Sequence, residues 1–406
     1  MTTDSTRRAF LQSAALAPTA ASYRRVLGAN DRIRMGAIGT GPRGQYLMKE
    51  LNRIGGIEWV AVCDVYSVRR DEAATLGGAG VKAYQDHRQL LDHQDLDAVI
   101  VATPDHWHSA ITVDACKAGK DVYVEKPMVH NPKDGQAIVK AARAYSRIIQ
   151  VGMQARAVPH FQEARKKYVE SGVMGKIGLA RTWYDANDGY VKQAPPGMER
   201  KPEGLDWERW CGPGPKVAWN PGIYFSPYKW LHYDGGMIMG IGIHVIDSAH
   251  QFLRLSKAKA AVAGGGVYQF RDGRDTPDTV NLILEYPQDL NVTFEAEIMT
   301  VGMGSNAGVQ FKGTGGVLTV LRYDRKLGYE YVPHPKNSQT PAARAPGDPS
   351  NARWLIENWL ECIRTRQKTV ANEEEGYYSA MACFMGSQAY RTKARVTWDE
   401  KWNLPA

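Results

Sequence analysis

The chain has 406 residues, of which 43% are hydrophobic and 23% charged, with 40 Gly, 21 Pro, 5 Cys and a formal charge of +8. That length provides for two or three domains with cores of their own, and the ordinary composition excludes disordered, collagen-like and fibrous classes. No run of about 18 apolar residues is present to form a spanning helix.

Arg7, Arg8, Arg24, Arg25, Arg32 and Arg34 crowd the first residues. Elsewhere bases are spread among acids, so the concentrated patch that nucleic-acid binding requires is missing. The five cysteines are scattered, odd in number and never spaced as Cys-x-x-Cys, which argues against a disulfide scaffold and a cysteine zinc site.

Thr6-Arg7-Arg8-Ala9-Phe10-Leu11-Gln12 is followed by an Ala-rich stretch to Ala21. Paired arginines before Phe-Leu and a weakly apolar run read as a twin-arginine export signal over residues 1–30. The alternative is a frayed basic terminus. The twin-arginine route carries folded, often cofactor-loaded proteins, so a periplasmic or secreted location is expected.

Ile33–Ile38 has the length and apolarity of a buried parallel strand. It runs into Gly39-Thr40-Gly41-Pro42-Arg43-Gly44 and then a helical pattern in Tyr46, Leu47, Leu51 and Ile54. Glycines permit the tight turn and the close backbone approach to a pyrophosphate, while the helix N-terminus offers free N–H groups to it. A second strand, Trp59–Cys63, ends at Asp64, 20 residues beyond Gly44. An acid there accepts hydrogen bonds from an adenosine ribose and repels a 2′-phosphate, favouring NAD over NADP; Arg69 and Arg70 weigh the other way.

The alternation continues with a strand over 97–102, the loop Thr103-Pro104-Asp105-His106-Trp107-His108, a helix over 110–117, and a strand over 121–124 ending at Glu125-Lys126-Pro127. Such repetition predicts a doubly wound parallel sheet with its ligand beyond the strands' carboxyl ends. Val151–Arg156 marks a crossover, giving a dinucleotide-binding domain over 31–150 and a substrate and oligomerisation domain over 151–406. Between Trp183 and Tyr233 aromatic residues are dense, among them Tyr184, Tyr190, Trp207, Trp210, Tyr224 and Trp230. Sugars stack on such rings; packing is the competing use, and Tyr184 and Trp230 are the substrate candidates. Alternation in Val280, Leu282, Leu284, Tyr286 and again in Val292, Phe294, Ala296 predicts strands with one solvated face. Pro333–Ser350 reads as a loop, and Trp354 opens a final pair of helices.

Together, the glycine fingerprint, Ala102–His108, Ala118-Gly119-Lys120, Glu125-Lys126-Pro127, Leu205-Asp206-Trp207, Trp210-Cys211-Gly212-Pro213 and Gly242–Asp247 resemble the Gfo/Idh/MocA oxidoreductases, most of all their exported bacterial branch. The resemblance implies an α/β protein: a Rossmann domain, then a domain with a large, mostly antiparallel open sheet that supports homodimers or homotetramers. It implies C-terminal helices, about 352–395, packing back on the first domain. It places Thr103, Pro104, His106 and His108 against the nicotinamide, with Glu125 and Gln154 helping to hold it and Arg156 facing substrate. Lys126 and His244 are the implied proton-transfer pair, His244 also lining the substrate pocket, and Pro127 fixes the turn through a cis bond. Many such sugar and inositol dehydrogenases carry an aspartate four residues before the histidine, where this chain has Gly240. Asp247 reads as a structural hydrogen-bonder.

A lysine at that strand end can take the proton of a hydroxyl whose carbon loses hydride, and can steady the developing oxyanion. His106 with His108, and His244 with His250, have spacings open to a metal, but no carboxylate or cysteine completes a set, and no metal is expected. Export leaves no pool of free cofactor, so a bound NAD must return to its starting state each cycle. Two chemistries do so: a ping-pong oxidoreductase that oxidises a sugar, glycoside or cyclitol hydroxyl and then reduces another acceptor, which the Glu-Lys-Pro triplet favours, and a glycoside hydrolase working by transient oxidation, elimination, water addition and re-reduction. A non-catalytic NAD- or sugar-binding protein is the third reading.

Overall fold

The computed structural model describes residues 32–185, 194–298, 307–336, 339–348 and 352–405. The export-signal reading and Tyr190 lie outside the described residues. Strands β1 (Ile33–Ile38), β2 (Ile57–Cys63), β3 (Lys82–Tyr84), β4 (Ala98–Val101), β5 (Asp121–Val124) and β6 (Ile149–Val151) form one parallel sheet in the order β3-β2-β1-β4-β5-β6. Every residue of β4 and β5 is buried, as strands covered on both faces require. The connections carry α1 (Pro42–Ile54), α2 (Ser67–Gly77), α3 (His87–Leu91), α4 (His108–Lys117) and α5 (Pro132–Tyr145). α1 starts with Gly41 as N-cap and Pro42 preset for the first turn, and buries Leu47, Met48 and Leu51 against the sheet. Strand order reverses between β1 and β4, so a crevice opens beyond their carboxyl ends.

After α6 (Pro159–Ala164) the chain builds β7 (Ile177–Asp185), α7 (Trp207–Cys211), α8 (Pro221–Phe225), α9 (Ile243–Leu253), β8 (Ala260–Gly266), β9 (Thr279–Tyr286), β10 (Leu290–Glu297), β11 (Ala307–Gly313), β12 (Gly316–Leu321), β13 (Tyr329–Pro333) and β14 (Ala343–Ala345). With β15 (Val396–Thr397) these make a nine-stranded sheet, β14-β13-β12-β11-β7-β10-β9-β8-β15, in which only the β7–β10 pair is parallel. Val280, Leu282, Leu284 and Tyr286 turn inward from β9, where α9 and α11 (Glu373–Thr392) help cover them, while Ile283 stays exposed. β14 corrects the loop reading of Pro333–Ser350: three residues too short to show a period pair at the edge with β13.

The last helices return to the first sheet. α10 (Arg353–Thr365) packs on α1, and Trp359 sets its ring edge-on to Tyr123 of β5; α11 packs on α5 as well as β8. Between β7 and α9 the chain forms a small separate core, in which Trp207 stacks on Trp210 and both lie against Tyr224. This aromatic insert rests on Val65 and Tyr66 of the first domain, beside the crevice. Among the described residues no helix is long and apolar enough to cross a membrane, and all five cysteines are buried and free.

Candidate active site

The glycine loop is fixed by contact. A Cβ on Gly39, whose φ is +82°, would stand 2.5 Å from the Thr103 backbone nitrogen, and one on Gly44 would stand 2.1 Å from the Gly39 carbonyl oxygen. Only hydrogen fits at either, so β1, the loop and α1 close to van der Waals distance and the α1 N-terminus faces the crevice. The crevice is a cavity of about 630 Å³. Gly41, Pro42, Arg43 and Asp64 line one side, and Thr103 and Pro104 another; Asp206, Arg209, Trp210 and Tyr224 of the aromatic insert roof it.

Asp64 accepts from the Thr40 N–H (2.7 Å) and the Tyr66 N–H (2.9 Å); burial pushes its carboxyl up against those two donors. Arg69, weighed from sequence only as a sign of NADP, has its guanidinium 4.9 Å from the Tyr224 ring centre and against Gly41. That stations a cation over the phosphate loop. Arg70 turns instead to Asp71. Glycines that accept no side chain, an open helix N-terminus, an acid at the ribose distance and this cation together fit a dinucleotide.

Several expected cofactor residues do other work. Thr40 is buried and its hydroxyl donates to the Arg69 carbonyl (3.1 Å), so it braces the loop from beneath. His106 Nε2 bonds the Trp210 carbonyl (2.8 Å), and its ring meets Trp210 and Tyr233 edge-on; burial pulls its pKa down to about 4. It fastens the insert and does not reach the cavity. His108 is buried between two carbonyls, Pro127 at 2.8 Å and Thr103 at 3.0 Å, tying the two active loops together. Glu125 takes Arg43 (Nε at 2.8 Å, Nη2 at 2.6 Å) and leaves the Lys126 ammonium to another partner. Gln154 is buried and accepts from Arg322 (3.3 Å). Arg156, expected at the substrate, is buried in ion pairs with Asp247 (2.7 Å) and Glu375 (2.8 Å), and Asp247 also accepts from Ser379; the group is structural.

A cis peptide bond joins Lys126 to Pro127, the rigid turn expected there. Its Nζ donates to the Gly240 carbonyl at 2.8 Å. Gly240 belongs to a wide-turned helical segment, Met237–Gly242, that leads into α9 and His244. Burial, with Arg322, Lys126 and Arg43 nearby, holds the His244 imidazole well below its ordinary pKa, so it is neutral; its Nδ1 has no hydrogen-bond partner among the described residues. Tyr184 stands edge-on to Tyr323, whose phenol Arg322 lowers in proton affinity against the effect of burial. Trp230 packs with the insert, its indole nitrogen buried and unpartnered among the described residues.

Sequence reasoning overlooked the acids beside Lys126. Asp105 lies 3.2 Å from His130; burial pushes the carboxyl up to about 6 and the imidazole down to about 4. Asp234 is pushed up to about 7 by burial and by Asp105. The signal available was an acid within the loop Thr103–His108 and another immediately after the aromatic segment that ends at Tyr233. Among the described residues no three His, Cys, Asp or Glu side chains gather as a metal-binding group.

Residues 33–153 match the model of the GFO_IDH_MocA oxidoreductase family, NAD-binding Rossmann fold, and residues 209–319 match the GFO/IDH/MocA C-terminal domain. The chain is 32% identical over 159 residues to inositol 2-dehydrogenase of Rubrobacter xylanophilus, a match covering 39% of this chain and 45% of that protein. It is 38% identical over 106 residues to glycosyl hydrolase family 109 protein 2 of a Shewanella species, covering 24% and 23%. The matches to inositol 2-dehydrogenases span less than half the length of those relatives. In three dimensions it is similar to levoglucosan dehydrogenase in complex with NADH and levoglucosan, with a TM-score of 0.72 and 19% identity over 90% of this chain and 99% of that one.

Proposed function

The chain belongs to the Gfo/Idh/MocA oxidoreductase family, and on that premise we propose that it oxidises a hydroxyl-bearing carbon of a sugar, glycoside or cyclitol with an NAD that stays in the crevice. The observation that carries this is that the Lys126 amine and the neutral His244 imidazole lie within electrostatic reach of each other and of Asp105 and Arg43, which line the dinucleotide cradle. The dinucleotide, when bound, supplies the hydride acceptor and, on return, the donor. Gly39, Gly41 and Gly44 let the backbone meet its phosphates, Arg69 adds charge, and Asp64 favours a free ribose hydroxyl, hence NAD over NADP. The roof formed by Tyr224 and Trp210 supports slow release.

Lys126 is the group that takes the hydroxyl proton as the carbon loses hydride, and its ammonium then steadies the carbonyl oxygen. His244, neutral and with a free ring nitrogen, hydrogen-bonds the substrate and fixes which hydroxyl meets Lys126. Tyr184 is the stacking surface the reading retains.

The glycosidase reading is the alternative, favoured by the partial similarity to a family 109 glycosyl hydrolase. One assay separates the readings: protein without added cofactor, given free sugars and aryl glycosides, with cofactor fluorescence and aglycone release followed together. Stoichiometric reduction without release is the expected result. Catalytic release without net reduction would install the hydrolase; NAD content with neither event would leave a binding protein.

The paired arginines support export to the periplasm or medium by the twin-arginine route. A reporter fused behind Met1–Asn30 is expected outside the cytoplasm, and inside it after Arg7 and Arg8 are changed to Lys; a cytoplasmic parent fusion would reject that address. The open face of the nine-stranded sheet, with Ile283 and Val332 exposed, supports association into homodimers or homotetramers.

A further inference from the structure

We propose that Asp234 is the proton reservoir of Lys126, and that residue 240 is glycine because the Asp234 carboxylate occupies its side-chain space. The inference rests on the oxidoreductase reading. A Cβ built on Gly240 would stand 2.0 Å from Asp234 Oδ1, 2.8 Å from Cγ and 3.0 Å from Oδ2, so the whole carboxylate fills the position. The carbonyl of the same glycine takes the Lys126 ammonium at 2.8 Å. Amine and carboxylate therefore bear on one residue.

The carboxylate is not there for structure in the manner of the molecule's other buried acids. Asp247 is saturated by Arg156 and Ser379, and Asp278 accepts the N–H groups of Tyr268, Gln269 and Phe270. Asp234 has the Gly236 N–H, but its Oδ1 is buried without a partner among the described residues. An orphaned carboxylate oxygen is costly and calls for a function. The charged and titratable groups facing it are Lys126, His130 and Asp105. Burial and Asp105 raise its proton affinity while Lys126 and His130 oppose, leaving it near neutrality, where a group that must accept and return one proton per cycle works best.

Lys126 and Asp234 are near each other but not paired, so the ammonium first leaves the Gly240 carbonyl; it passes a proton to the Asp234 carboxylate, and the amine so freed takes the hydroxyl proton while the carbon gives its hydride to the dinucleotide. The products are a carbonyl, an ammonium and a carboxylic acid; the return of hydride reverses every transfer. Asp234 acts through Lys126 and is a positioning residue in that sense.

The test is Asp234→Asn, which keeps the shape. Turnover is expected to fall about 100-fold, with KM little changed and the limb of the kcat profile near neutral pH lost. A second readout needs no activity. The folded carboxyl holds its proton up to about pH 7, whereas the unfolded one releases it at about 3.9. The stability it confers is therefore full below the lower value and lost as pH rises through the higher one. The thermal midpoint of Asp234→Asn is expected to gain on the wild type steadily between about pH 4 and pH 7 and to level off above that. In a relocation variant, Asp234→Ala with Gly240→Asp, the carboxylate returns to the same space from the other side, and turnover is expected to exceed that of Asp234→Ala alone by about tenfold. Unchanged kcat and pH profile in Asp234→Asn, or a midpoint gap that does not vary with pH, would overturn the proposal while the oxidoreductase reading stands. A wild type that transfers no hydride with any carbohydrate would remove both.

Discussion

Lys126→Met is expected to lower turnover about 1,000-fold, on either the dehydrogenase or the glycosidase reading, while the protein keeps its NAD. The methionine stem has nearly the bulk of the lysine, so the cis turn at Pro127 and the contact with the segment Met237–Gly242 survive. What disappears is one donor to the Gly240 carbonyl, a loss of about 1 kcal/mol in stability, and the amine that the reaction needs. Fluorescence of bound cofactor after substrate addition is the check. Retention of more than about a tenth of the wild-type rate would mean that His244 or another group takes the hydroxyl proton.

The second large effect is on binding. Gly44→Ala should weaken NAD about 100-fold, or 2.7 kcal/mol by the usual conversion, and lower the thermal midpoint. Replacing a helical glycine with alanine ordinarily stabilises by about 0.5–1 kcal/mol. Here the methyl group meets the Gly39 carbonyl oxygen at 2.1 Å, both partners are backbone, and α1 has to lift away from β1. Overpacking of that kind costs about 1–3 kcal/mol and outweighs the propensity gain. Gly41→Ala is the control: its nearest neighbour is the tip of Arg69 at 3.2 Å, a flexible group that can yield. Equilibrium titration of NAD should therefore rank wild type, Gly41→Ala and Gly44→Ala in that order of affinity. Equal affinities for the two variants would show that the loop is not closed by the Gly44 contact.

The features legible in the sequence were those set by neighbours along the chain. The glycine loop, the strand before it and the acid at Asp64 are local consequences of backbone sterics and of strand length, and the structure builds them as expected. The alternation in β9 and β10 was equally plain, because one sheet face is covered. What sequence could not give was the choice of partner among residues far apart. The resemblance turned Arg156 toward substrate, yet Asp247 lies 91 positions on and captures it. His106 looked aimed at the cofactor, yet the Trp210 carbonyl holds it from 104 positions away. The Gly240 departure looked like a missing group; only in three dimensions does a carboxylate from another segment stand in the gap. Short edge pairings such as β14 fail for a related reason, since three residues define no period.

The return of α10 and α11 to the first sheet bears on how the molecule comes to be made. β5 meets Trp359 only after every strand of the second sheet except β15 has been synthesised, so the sheet beneath the dinucleotide site lacks that cover until then. A contact between elements so far apart in sequence leaves apolar strand surface open on the growing chain in the interval, the kind of surface on which chaperones act.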